Sequence, residues 1–149
     1  MPVLVDRIDQ TEVNCLIWIG LVSRSEALGM PGRIDPSRPK FGRRWISYFD
    51  STADLSHLDA ACLVELRERL RPVVSGLAAD GEFRMILASN SKYNDPLVAV
   101  WRAMVANDAD YLSSPVVVHD IHSASRALGL SAADAERARV WIESRIGRS

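Results

Sequence analysis

Long apolar runs, glycine-rich phosphate loops and clustered metal ligands are all missing from this sequence, and each absence removes a class of function. No stretch approaches the ~20 apolar residues of a membrane span, so none is expected. Neither G-x-G-x-x-G nor a P-loop occurs, which leaves nucleotide binding without a basis. The G-x-S-x-G turn that would expose a serine nucleophile is missing too; Ser89-Asn90-Ser91 comes nearest and lacks the flanking glycines. Histidine is scarce. His119 and His122 lie three apart but straddle an expected strand end and helix start, with His57 the only other, so no metal set is assigned. Cys15 and Cys62 fall in apolar surroundings and read as small core residues rather than a disulfide. A formal net charge of -1 argues against a general nucleic-acid binder, whose domain is basic. The opening MPVLVDRIDQ has acids where a secretion signal has a basic start and an apolar core, so a cytoplasmic protein is expected. No catalytic residue and no cofactor is assigned, and the balance leans away from an enzyme.

What is present reads as one domain. At 149 residues, 48% hydrophobic and 25% charged, the chain can build a core of ordinary composition. Its organising stretch is Arg44 to Arg71. Trp45, Ile46, Tyr48 and Phe49 suit a strand covered on both faces. Asp50, Ser51 and Thr52 end it, because their side chains compete for backbone hydrogen bonds. Ser56 three residues before Asp59 has the spacing of a capping box. Leu55, Leu58, Cys62, Leu66 and Leu70 then form one helical stripe. Pro72 predicts an end or kink near Arg71, followed by a short helical piece to Ala79 closed by Gly81.

Pro2 to Ile8 reads as an edge strand and Val13 to Val22 as its hairpin partner. Ser23 caps a short helix over Arg24 to Gly29. Phe83 to Ala88 and Pro115 to Val118 are further strands. Between them Asp95-Pro96 opens a helix with the stripe Leu97, Trp101, Met104 and Val105. A helix over Ile121 to Leu128 stops at Gly129, and Ser131 with Asp134 opens the last, through Ile146. The order β-β-(α)-β-α-β-α-β-α-α predicts an α/β fold: a mixed sheet with an opening hairpin, a parallel section and helices mainly on one face.

Parallel strands bring their carboxyl ends to one edge, where open α/β sheets usually bind. That edge would carry Asp50, Ser51 and Thr52, then Ser89, Asn90, Ser91 and Lys92, then His119 and Asp120. These residues form the candidate binding rim, although strand ends need polar caps whether or not they bind anything. The proline- and glycine-rich loop MPGRIDPSRPKFG and its exit hold Arg33, Arg38, Lys40, Arg43 and Arg44. They suit a phosphate, an anionic surface or an acidic partner. As a solvated loop in a chain with sixteen arginines and two lysines, they need no ligand.

The order of elements, the phrase LDAACLVEL and the tail VVVHDIHSASRALGL resemble STAS domains (sulfate transporter and anti-sigma-factor antagonist) and the related SpoIIAA-like proteins. The resemblance spans roughly Cys15 to Leu130 and rests on pattern more than identity. It implies a bacterial regulatory domain acting through protein contacts. In regulatory members a serine in Asp-Ser-Ser at the helix start is phosphorylated. Here Ala60 and Ala61 occupy those places and cannot accept a phosphate. Ser56 is the candidate substitute, since a phosphate is favourable at a helix N-terminus; its plainer role is a helix cap.

Three functions follow in order of preference. The first is a non-enzymatic STAS-like interaction domain, binding a protein partner or a second copy of itself through the rim and the start of the Leu58 helix. The second is a domain binding a small apolar or anionic ligand. The third is a hydrolase-type enzyme using His119, Asp120 and the Ser89 to Lys92 turn. A deep apolar pocket favours the second, exposed apolar side chains on the rim the first, and a His–Asp–Ser contact the third.

Overall fold

The computed structural model describes residues 2–37, 40–79, 81–89, 95–106 and 116–147. The protein is α/β, with a five-stranded mixed sheet in the order β1-β2-β3-β4-β5. β1 (Val3–Arg7) and β2 (Val13–Trp18) make the opening antiparallel hairpin. β3 (Arg44–Phe49), β4 (Arg84–Ser89) and β5 (Val116–Val118) then add in parallel. The helices are α1 (Arg24–Gly29), α2 (Ala60–Leu77), α3 (Asp95–Val105), α4 (Ile121–Ala127) and α5 (Ala132–Gly147), with a 3-10 turn at Pro31–Arg33. No helix among the described residues is long and apolar enough to cross a membrane.

Each parallel connection steps one strand in the same direction. Crossovers of one hand must therefore lay α1, α2 and α3 on the same face. There they bury Ala27, Leu28, Leu66, Leu70, Val74 and Val98 against Leu16, Trp18, Trp45, Phe49 and Leu87 of the sheet. A sheet built in one direction has no crossover left for its other face. The two helices after β5 cover that one, setting Ile121, Ala124, Leu128, Ala138, Trp141 and Ile142 against Cys15, Ile17, Ile46, Tyr48, Ile86 and Ala88. Three of the five described helices thus share a face, and the sheet is buried on both sides. This is why β2 is buried at every position rather than at alternate ones.

Four local features differ from the sequence reading. α2 continues through Pro72. Pro72 lies on the exposed side, where water can solvate the carbonyl it leaves unpaired, while Leu70, Val74 and Leu77 hold the opposite side against the sheet. The cap of α2 is Asp59 rather than Ser56: the Cys62 N–H donates to Asp59 Oδ1 at 2.8 Å. Leu55 and Leu58 are buried from the turn before the helix, which explains why their spacing mimicked a helical stripe. β2 stops at Trp18, four residues short of Val22; Gly20 turns the chain with φ +63°, and Leu21 makes a single bridge to Asp54.

Candidate functional site

The parallel register places the carboxyl ends of β2, β3, β4 and β5 on one edge, with Trp18 beside Phe49, Phe49 beside Ser89 and Ala88 beside Val118. Asp50, Ser89 and His119 therefore belong to the same rim. Asn90, Ser91 and Lys92 lie outside the described residues, as do Arg38 and residues 107–115. Most rim acids are held by their own backbone. The buried Asp50 carboxylate accepts from the Thr52 hydroxyl at 2.6 Å and the Thr52 N–H at 3.2 Å. Thr52 Oγ1 in turn accepts from the Gly20 N–H at 3.2 Å, tying the turn after β3 to the one after β2. Asp120 is the cap of α4, accepting from the Ser123 N–H at 2.6 Å. Those Ser123 hydrogen bonds, with His122 and His119 nearby, hold its carboxyl below the usual range.

Ser56 has a similar attachment. Its hydroxyl and its N–H (2.9 Å) both go to Asp54, and these bonds, aided by His57, lower the Asp54 carboxyl. A phosphate on Ser56 would thus face the Asp54 carboxylate, ahead of an N-terminus already capped by Asp59. No hydrogen bond joins His119 or His122 to a side chain among the described residues. No group of three or more His, Cys, Asp or Glu suited to a metal occurs among them either. Exposed on the rim among the described residues are Ser51, Thr52, Asp54, Ser56, His57, His119 and Asp120, with Leu21 at 53% exposure beside Asp54.

Between the sheet and α2–α3 runs an apolar cavity of about 60 Å³, lined by Trp18, Phe49, Leu58, Leu66, Leu87 and Trp101 among others. Small-molecule sites hold ~300–1,000 Å³, so this space is a gap in the core. Its one polar wall, the Ser47 hydroxyl, accepts from Trp18 Nε1 at 2.9 Å.

A larger cleft of about 540 Å³ opens at the opposite, amino edge of the sheet. Arg7 of β1, Arg44 of β3, Arg84 of β4 and Lys40 and Arg43 of the basic loop line it, against two carboxylates among the described residues, Glu12 and Glu82. Arg44 and Arg84 are register partners at the first positions of neighbouring parallel strands. Neither guanidinium makes an ion pair or hydrogen bond among the described residues. At the cleft floor Asn14 is 1% exposed. Its Nδ2 donates to the Arg44 carbonyl at 3.1 Å, and its Oδ1 accepts from no described group.

Sequence reasoning found the loop part of this cluster but not Arg7, Asn14 or Arg84, because only strand register joins them. The available signal was a repeated one: Arg44 and Arg84 each stand immediately ahead of an apolar strand run. Comparison with protein-family models, curated proteins and solved structures finds no match to this chain.

Proposed function

We propose that this chain is a non-enzymatic interaction domain of STAS-like type that docks a protein partner, or a second copy of itself, on the carboxyl-edge rim. The observation that carries this reading is the state of the rim's polar groups. Asp50, Asp54, Asp59 and Asp120 are engaged in turns and caps, which makes a firm platform and leaves no acid–base pair poised for chemistry among the described residues. Leu21 stands exposed on that platform between the Gly20 turn and Asp54, as a docking surface requires. An apolar carrier function lacks support, since the cavity under α2 and α3 is several times too small for a ligand.

The test is site-specific photo-crosslinking in the native host. A crosslinker at Leu21 or Ser51 is expected to trap one discrete species, and Leu21→Asp to weaken that association at least about tenfold, the usual cost of losing a buried apolar anchor. Equal trapping from Val140, on α5 across the sheet, would refute the reading.

A further inference from the structure

We propose that the amino-edge cleft is a binding site for a small, non-aromatic polyanion, either a phosphate ester or a polycarboxylate. The site is separate from the rim and lies at the other end of the strands. Its charge is the first argument. Five basic side chains and two carboxylates meet in one 540 Å³ cleft of a chain whose formal net charge is -1. With Lys40 paired to Asp6, four arginines face those two carboxylates, and the surplus suits a ligand with about two negative charges.

The second argument is the Arg44–Arg84 pair. Neighbouring strands are about 4.8 Å apart, and register partners in a parallel sheet project to the same face. Like charges held side by side in this way repel. Neither arginine is relieved by a described carboxylate, although Glu12 and Glu82 line the same cleft. A phosphate or carboxylate between the two guanidinium forks turns that repulsion into paired, charge-assisted hydrogen bonds. The walls are already fixed: Arg7 Nε donates to the Thr11 carbonyl at 2.6 Å, and Lys40 Nζ pairs with Asp6 at 2.9 Å. Little side-chain freedom is then lost on binding.

The third argument is the floor. Asn14 is buried with an acceptor that nothing described satisfies, an arrangement that lowers stability and belongs more naturally to a site than to a core. The size and lining narrow the ligand. The cleft has the volume of a small-molecule site, and no aromatic ring is among its described lining residues, so a nucleobase would find nothing there to stack on.

The test is isothermal titration calorimetry on the full chain with citrate, glucose 6-phosphate and inorganic phosphate, at ionic strength matched with sodium chloride. At least one probe is expected to bind and to raise Tm. The double variant Arg44→Gln, Arg84→Gln should bind it at least about tenfold more weakly, as expected for lost charge-assisted hydrogen bonds, while its ligand-free Tm holds or rises. Glu82→Gln should bind about threefold more tightly, as a screened like charge is removed; this gain cannot arise from misfolding. No binding beyond chloride by any probe overturns the proposal, and so does unchanged binding by the double variant. Vesicles containing phosphatidylserine provide the last arm. Vesicle binding that glucose 6-phosphate displaces keeps the site and assigns it a lipid headgroup. Vesicle binding that it does not displace, with no soluble probe bound, overturns the proposal.

Discussion

Asn14→Leu should make the ligand-free protein more stable, against the usual direction of a buried substitution. Asn14 is 1% exposed at the start of β2, and only its Nδ2 is paired, to the Arg44 carbonyl. Removing an unmet buried acceptor relieves about 1–3 kcal/mol. Losing the Nδ2 hydrogen bond costs about 0.5–1.5 kcal/mol. Leucine is close in volume, and its carbons gain about half of the ~1.5–3 kcal/mol of a fully buried side chain. The balance is a gain of about 2 kcal/mol, which for a chain of this length raises Tm by about 4–8 °C. Thermal unfolding followed by circular dichroism, in buffer free of polyanions, reads it directly. A fall in Tm of more than about 2 °C would show that Asn14 serves the strand, and the reading of its Oδ1 as unmet would be refuted.

Four further outcomes follow. Leu66→Ala, cutting a side chain buried between α2 and the sheet, should cost about 2–5 kcal/mol by chemical denaturation; a loss below 1 kcal/mol would mean α2 is not seated as described. Pro72→Ala should stabilise by about 1–3 kcal/mol, since it restores a helical N–H on the solvent side; destabilisation would argue that the helix ends at Arg71. Neither Cys15 nor Cys62 should react with a thiol reagent in the native state, because both are buried and burial pushes both thiols up; a fast-reacting thiol would contradict the core assignment. Asp6 has its carboxyl lowered, the cost of burial being outweighed by Lys40, the Arg7 N–H and Arg145, and Asp54 and Asp120 are lowered by their turn and cap bonds. A depressed folded-state value contributes stability above the unfolded value near ~4 that is lost as pH falls through the folded value. Stability should therefore drop below about pH 4, and Asp6→Asn should shallow that acid limb; an unchanged limb would show that the Lys40 pairing is too screened to matter.

Much of the architecture was legible because apolar runs of five or six residues alternate with helical stripes, and each kind of period has one physical cause. The strands around Ile46 and Ile86 were readable from composition, and the helix starts at Ser23 and Ser131 from their caps, where the N–H of Glu26 and Asp134 is accepted by each hydroxyl. The error at Ser56 arose because two cap-forming residues stand three apart, and only the fold decides which N–H each can reach. The error at Pro72 arose because proline's cost depends on which side of the helix faces water. The amino-edge cleft was largely illegible: Arg7, Lys40, Arg44 and Arg84 are scattered over almost eighty positions, and register, which no local pattern encodes, places them together.

The one-directional order of the strands has a consequence for synthesis. Each described strand pairs with its neighbours in the chain, so every strand after β1 finds a partner already made as it leaves the ribosome. The helices for one face are made between the strands they connect and can cover it as it grows. The other face must wait. Cys15, Ile17, Ile46, Tyr48, Ile86 and Ala88 stay open to solvent until Ile121–Gly147 has been translated. A nascent chain stalled before Ile121 therefore displays an assembled but bare apolar plane, a surface that chaperones bind and that other stalled chains adhere to. The two helices that follow β5 decide whether the assembled sheet stays single or aggregates.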